Sequence, residues 1–366
     1  MWHYLFLIVT AVHAYVSWRA ASVPVLARHR KVLLGVSAAL WLSLFLPRVL
    51  DRSVGSAAIS VLRTLGLNWM AVLFLACVSL LVVEVVTGFG FLLRRAAPAL
   101  RGWALLAAAA MSAVGFVQGM RAPVVRSYEV RVARLPAALD GTVLVAASDF
   151  HIGMQGKAWL AARVTQIEAL HPDLVALLGD IIEGDSPSER VLLPPLRRIR
   201  APLGVWAVTG NHEYYAGFRP SVRLYEDAGF QVLRDRWASV RPGLVIAGVD
   251  DLTARQRRSG GDVGAVERAV AGRPAGATIL LSHTPWQYEE AARAGVSLML
   301  CAHTHGGQIW PFGWFELGLY PLMAGRYDVA GMPVIVSRGA GTWGPRMRLW
   351  RPGEILRITL RAPATP

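Results

Sequence analysis

The sequence predicts an α/β domain preceded by an all-α transmembrane helical domain. Three observations carry that reading. The first 120 residues hold four long apolar stretches separated by arginine-rich connections. Beyond them, short apolar runs alternate with amphipathic segments, as strands and helices do in α/β folds. Those short runs also end repeatedly in Asp, Asn or His. The expected organisation is a membrane domain over 1–120 and a second domain over 121–366.

The chain of 366 residues is 54% hydrophobic, only 17% charged, and has a mean hydropathy of +0.41. A soluble domain is nearer about a quarter charged. The apolar stretches are 2–18, 32–46, 69–93 and 103–120. A bilayer takes about 20 apolar residues per helix, with about 17 as the lower limit. The second stretch reaches that length only if 47–50 continues it. Trp2, Trp18, Trp69 and Trp103 are placed at span ends, where interfacial anchors belong. The first stretch lacks a basic start and three more follow, so it reads as a retained helix rather than a signal peptide. Arg19, Arg28, Arg30 and Lys31 lie in the first connection, and Arg94, Arg95 and Arg101 in the third. The second connection holds Arg48, Arg52 and Arg63 with Asp51. Positive-inside counting places the first and third in the cytoplasm, which puts the second domain outside. Arg121, Arg126, Arg131 and Arg134 count against that orientation. Glu84, His3 and His13 fall inside apolar stretches, and each reads as a polar pin within the bundle.

The net charge of +14 has a source in arginine-rich loops beside a bilayer, whose lipid heads are anionic. No basic–aromatic run matches a nucleic-acid module, so nucleic acid is not an expected partner. The two cysteines, Cys77 and Cys301, form no disulfide framework.

In the second domain, strands are expected over 128–132, 141–147, 174–178, 205–208, 244–249, 278–281, 296–300, 334–337 and 354–360. Helices are expected over 157–170, 189–200, 221–228 and 263–271. In α/β folds, ligands gather beyond the carboxyl ends of strands. Asp149, His151, Asp180, Asn211, His283, His303 and His305 all stand at such ends. Singly, each has a plain structural reading: a turn, a helix cap, a hydrogen-bonded core histidine. Together they make a donor set of carboxylate, amide and imidazole that suits borderline or hard divalent ions. His303 and His305 would face the same way if the backbone stayed extended. Asp250 and Asp251 also end a strand and read equally as turn chemistry, and His171 and His29 read as surface residues.

The ordered motifs Ser-Asp-Phe-His, Gly-Asp-Ile-Ile-Glu, Gly-Asn-His-Glu, Ser-His-Thr-Pro and Ala-His-Thr-His resemble those of calcineurin-like metallophosphoesterases. Asn-His-Glu-Tyr-Tyr, His-Thr-His-Gly-Gly-Gln and Ser-Arg-Gly-Ala-Gly-Thr resemble a membrane-associated bacterial branch similar to UDP-diacylglucosamine pyrophosphatases. The resemblance covers roughly 123–360. It implies a four-layered α/β/β/α sandwich with two divalent metal ions, Mn, Fe or Zn. It also implies Asp149, His151 and His305 as ligands of one ion and Asn211, His283 and His303 of the other, with Asp180 shared. His212 resembles the histidine that meets the scissile phosphate or its leaving group, beside Asn211. Two positions depart from the pattern. Glu183 replaces a common Asp, and Ala302, whose added methyl would narrow the backbone's approach to the metal, replaces a common Gly.

The activity so implied is a membrane-anchored metal-dependent phosphohydrolase. It would cleave a phosphodiester or pyrophosphate, most economically one in a lipid or nucleotide-lipid, by attack of a metal-bridging hydroxide. The rivals are a nuclease or cyclic-nucleotide phosphodiesterase, a membrane receptor or scaffold with a vestigial site, and a transporter. Segment 310–323 carries Trp310, Phe312, Trp314, Phe315, Tyr320 and Met323 without a basic residue. It reads either as an apolar lip for a lipid or as internal packing.

Overall fold

The computed structural model describes residues 2–50, 57–153, 155–183 and 189–363. Asp51 and Arg52 of the second connection lie outside them. The chain forms two compact units, Met1–Arg121 with Gly344–Trp350, and Ala122–Trp343 with Arg351–Pro366.

The first unit is helical: α1 (Trp2–Ala20), α2 (Pro24–Ala27), α3 (Arg30–Leu50), α4 (Ala57–Val86) and α5 (Ala97–Met120). Among the described residues, three helices are long and apolar enough to cross a membrane, over Arg30–Pro47, Ala58–Val86 and Ala97–Met120. Helix α3 does continue through Pro47. The third stretch shifts from its expected bounds. Helix α4 starts earlier and stops at Val86, because Gly88 and Gly90 adopt φ of 55° and 84° and turn the chain. Trp69 therefore lies inside α4 rather than at a span end, and its indole donates to His13 Nδ1 at 3.2 Å. His13 Nε2 lies 2.8 Å from Ser37 Oγ. Glu84 is fully buried and accepts from Arg101 Nε at 2.8 Å, with Arg19 Nη2 at 2.9 Å. A carboxylate so paired ties α4 to α1 and α5, since removing either partner would strand a buried charge. Segment Gly344–Trp350 packs with these helices, for Arg346 N donates to Asn68 Oδ1 at 2.9 Å and Arg348 N to the Gly115 carbonyl at 2.8 Å.

The second unit is an α/β/β/α sandwich. Its strands are β1 (Val124–Arg131), β2 (Val143–Ala147), β3 (Leu174–Leu177), β4 (Val205–Ala207), β5 (Gln231–Val232), β6 (Arg236–Arg241), β7 (Leu244–Gly248), β8 (Ala277–Leu281), β9 (Leu298–Cys301), β10 (Gly325–Val329), β11 (Met332–Val336) and β12 (Glu354–Arg361). Its helices are α6 (Lys157–Glu168), α7 (Glu189–Leu196), α8 (Asn211–Ala216), α9 (Phe218–Asp227), α10 (Leu252–Ser259), α11 (Ala265–Val270), α12 (Tyr288–Arg293) and α13 (Gly313–Glu316). One sheet runs β1-β12-β2-β3-β4-β5 and the other β10-β11-β9-β8-β7-β6. β2 to β5 are mutually parallel, as are β7, β8, β9 and β11.

Strands buried on both faces read as near-continuous apolar runs, and that is what β2, β3 and β8 are. One face of each sheet meets the other in a core of Leu144, Ala146, Leu174, Ile246, Ile279, Leu298 and Ile335. The outer face of the first sheet, with Val145 and Val175, takes Leu160 and Val164 of α6 and Leu224 of α9. That of the second takes Val266 and Val270 of α11 and Ala291 of α12. The parallel strands of each sheet therefore deliver their carboxyl ends to one edge of the sandwich.

Candidate metal centre

Each expected ligand follows a strand, and most leave it through an unusual backbone. Asp149, His151, Asp180, His303 and His305 have φ of 52°, 47°, 53°, 73° and 51°. Side chains rarely adopt this left-handed region, and where they do the surrounding structure must impose it. His303 and His305 are thus not on an extended backbone, and they do not act as a pair. His305 Nε2 lies 3.3 Å from Asp149 Oδ1 and 3.1 Å from His151 Nε2. His303 Nδ1 instead lies 3.2 Å from His283 Nε2, which is 3.1 Å from Asp180 Oδ2. Among the described residues, three sets of donor atoms gather within 4.8 Å: Asp149, His151 and His305; His151, Asp180 and His212; Asp180, His283 and His303. They overlap through His151 and Asp180.

The loops are locked from behind. Glu213, fully buried, accepts from the amides of Gly210 at 2.7 Å, Asp180 at 2.9 Å, Ile181 at 2.9 Å and Ile182 at 3.2 Å, and from Tyr225 Oη at 2.6 Å. It binds the loop after β3 to the start of α8. Asp180 Oδ1 accepts the His212 amide at 2.8 Å, so close that a β-carbon on Gly210 would stand 2.2 Å from that oxygen. The Ser-Arg-Gly-Ala-Gly-Thr segment closes on the same centre. Ala340 N donates to the Ser148 carbonyl and Gly341 N to that of Asp149, each at 2.9 Å. Glu213 and these glycines belong to the quoted motifs, but nothing in the sequence assigns them this work.

Glu183 bridges two histidines. Its Oε1 lies 2.7 Å from His151 Nδ1 and its Oε2 2.8 Å from His212 Nδ1. Ala302 corrects an expectation. Its methyl is fully buried in the core between the sheets, so it does not narrow the approach to the ligands. Asp251 caps α10, accepting from Ala254 N at 2.7 Å, and Asp250 pairs with Arg234 at 2.9 Å. Both serve the loops. His171 and His29 are exposed.

The donor chemistry fits a metal. A neutral imidazole donates through one nitrogen and presents a lone pair on the other. His283 Nδ1 donates to the Leu178 carbonyl at 2.7 Å, so Nε2, 3.1 Å from Asp180 Oδ2, is the atom that a metal would take in place of a proton. His151 and His212 donate likewise to Glu183, so a metal would meet Nε2 of His151, while His212, held protonated, keeps a proton on Nε2. Such carboxylate or carbonyl support is the usual orienting device behind ligating histidines. Both oxygens of Asp149 and Oδ1 of Asn211 are buried without a hydrogen-bond partner. Buried lone pairs converging unpaired are costly unless a cation or protons lie among them.

The field among these groups is strong. Burial opposes ionisation of Asp149, but His305 outweighs it and holds the carboxyl below its usual range. Asp180 is likewise held low against burial by His283 and His212. Burial would raise Glu183, yet its bonds to His151 and His212 bring it down to about 2. Burial would lower His212, yet Asp180 and Glu183 raise it to about 9. Burial and the charge of His283 push His303 down to about 4.

A family model described as calcineurin-like phosphoesterase matches residues 142–307. A protein from Danio rerio described as a transmembrane protein with metallophosphoesterase domain is 34% identical over 270 residues, 70% of this chain and 62% of that protein. Its Bos taurus counterpart is 33% identical, over 71% of this chain and 62% of that protein. An uncharacterised metallophosphoesterase of Aquifex aeolicus is 34% identical, over 65% of this chain and 91% of its own length. The chain belongs to the calcineurin-like metallophosphoesterase family. It spans about 62% of the length of the two vertebrate relatives. Among solved structures, a 5′-nucleotidase precursor from Thermus thermophilus aligns with 18% identity over 56% of this chain and 49% of that one, at a TM-score of 0.35. At that score the likeness carries no functional weight.

Proposed function

We propose that the protein is a bacterial inner-membrane phosphohydrolase that cleaves a phosphodiester or pyrophosphate linkage in a lipid or nucleotide-lipid at a centre of two divalent ions. The overlap of the donor sets through His151 and Asp180 carries this reading. Asp149, His151 and His305 would hold one ion, Asn211, His283 and His303 the other, and Asp180 both. Bound divalent ions supply Lewis acidity to phosphoryl oxygens and acidify water. The lipid assignment rests on the apolar helices of the same chain and on the motif resemblance to pyrophosphatases of nucleotide-linked lipids. An extracytoplasmic catalytic domain follows from the arginine count in the connections.

The chain's own residues do the rest. Asn211 Oδ1 is buried and unpartnered, and its lone pairs suit a cation. Glu183 fixes the His212 ring through Nδ1 and leaves Nε2 to donate a proton to the leaving oxygen. Buried Glu213 keeps Asp180 and His212 in register.

The test takes the full chain in detergent, stripped of metal and refilled with Mn. A chromogenic phosphodiester is assayed beside the matching monoester. His212→Ala should retain metal and lose turnover by about 10²–10⁴-fold, the usual worth of a general acid. Asp180→Ala should lose metal as well as turnover. Full turnover in His212→Ala would remove that residue from the mechanism. A metal-loaded wild type that hydrolyses neither a phosphodiester nor a pyrophosphate would remove the proposed reaction.

A further inference from the structure

Helix α10 carries three arginines, and they are not alike. Arg255 is neutralised by Asp235, Asp262 and Asp250. Arg257 and Arg258 are exposed, and among the described residues neither has a carboxylate within ion-pair distance. Arg257 is nonetheless held in place. Its Nη1 donates to Tyr215 Oη, and its guanidinium carbon lies 5.6 Å from the Tyr215 ring centroid. Arg258 stands 5.0 Å from the ring of Tyr214.

Tyr215 belongs to the candidate site's wall. It lies on α8, one helical turn after Asn211 and His212, so it shares their face. Its ring centroid is 5.1 Å from that of His212. On the other side of the centre, Tyr320 Oη lies 2.8 Å from His303 Nε2, and the charge of Arg257 reaches both tyrosines. An uncompensated guanidinium is thus anchored to Tyr215, whose ring also packs against His212, the residue that would meet the leaving group. With one N–H spent on Tyr215, most of its planar fork has no protein acceptor among the described residues. That fork matches a phosphoryl group in geometry and charge. A surface arginine kept only for solubility needs no such tether.

We propose that Arg257, tethered by Tyr215, forms a subsite for a second phosphoryl group of the substrate and selects pyrophosphate-linked substrates over those with a single phosphate. The inference rests on the hydrolase reading above and deepens it, by naming the residue that reads the second phosphate.

The experiment uses the full chain in detergent with Mn and no added lipid. It measures kcat/KM for ADP-ribose, which carries two bridged phosphoryl groups, and for bis(p-nitrophenyl) phosphate, which carries one. Arg257→Gln should lower the ratio of the two constants by about tenfold, equivalent to about 1.4 kcal/mol of charge-assisted bonding. Arg257→Lys should recover part of the ratio, since charge returns without the fork. A merely structural role would lower both constants together and leave the ratio fixed, and that result overturns the proposal. So does a wild type that turns over the chromogenic diester but neither cleaves ADP-ribose nor is inhibited by it. A wild type inactive on both substrates overturns the hydrolase reading itself.

Discussion

Glu183 Oε2 accepts from His212 Nδ1 at 2.8 Å, while the other oxygen of the same carboxylate lies 2.7 Å from His151 Nδ1. One side chain thereby orients a proposed ligand and a proposed acid. A shorter aspartate could not span both rings. Glu183→Asp should keep one of the two contacts and lower kcat/KM by about 10–100-fold, the usual cost of disturbing such support. Metal content by elemental analysis shows which ring lost its partner: intact metal with slow turnover means His212, and weakened metal means His151.

Glu213 is a structural keystone with no place in the chemistry. It collects five hydrogen bonds from Gly210, Asp180, Ile181, Ile182 and Tyr225. Glu213→Ala would leave those donors buried and unpaired, costing about 3 kcal/mol or more of stability. Denaturant unfolding should register that loss, and metal affinity should fall with it because the Asp180 loop is no longer held. A stable variant with normal metal content would refute this role.

Burial raises the carboxyl of Glu316 to about 7, and its Oε2 is buried without a hydrogen-bond partner. Between the ordinary carboxylate value and about 7, the folded state keeps a proton that the unfolded chain has lost. Stability from this group is therefore present at low pH and declines as pH rises through that window. Hydrogen exchange of the surrounding segment, compared at about pH 5 and about pH 8, should show weaker protection at the higher pH. Glu316→Gln should flatten the difference.

Phe312, Trp314, Phe315, Leu317 and Leu319 are exposed, and the nearby Glu316 is the only ionisable side chain in 309–319. The structure therefore leaves this stretch on the surface rather than wholly within a core. Replacing Trp314 and Phe315 together by Ser should reduce turnover of a lipid-embedded phosphodiester by about tenfold, given the apolar area removed. A soluble diester should be spared. Equal losses on both substrates would sink the idea of a lipid-facing lip.

Much of this protein was legible in one dimension. The largely apolar runs of β2, β3, β4, β8 and β9 located the strands, because a strand buried on both faces takes a near-continuous apolar sequence. Asp149, Asp180, Asn211, His283 and His303 stood at their ends, and order along the chain was enough to bring them to one edge of the sheets. Helix ends were less legible. Helix α4 stops at Val86 and not among the apolar residues beyond, because backbone turned by Gly88 and Gly90 overrides hydropathy.

What only the tertiary structure decided is the division of labour. His303 and His305 are one residue apart, yet left-handed backbone at both sends them to different donor sets. Ala302 looked like an obstruction at the ligands, but its methyl faces the inter-sheet core. Glu213 and Arg257 carried no sequence signal for their positions, since each depends on partners brought near by folding alone. Residue type and order determine which groups reach the edge of the sandwich. Which of them face one another, and which stay unpaired, is set by backbone dihedrals and packing that no local pattern encodes.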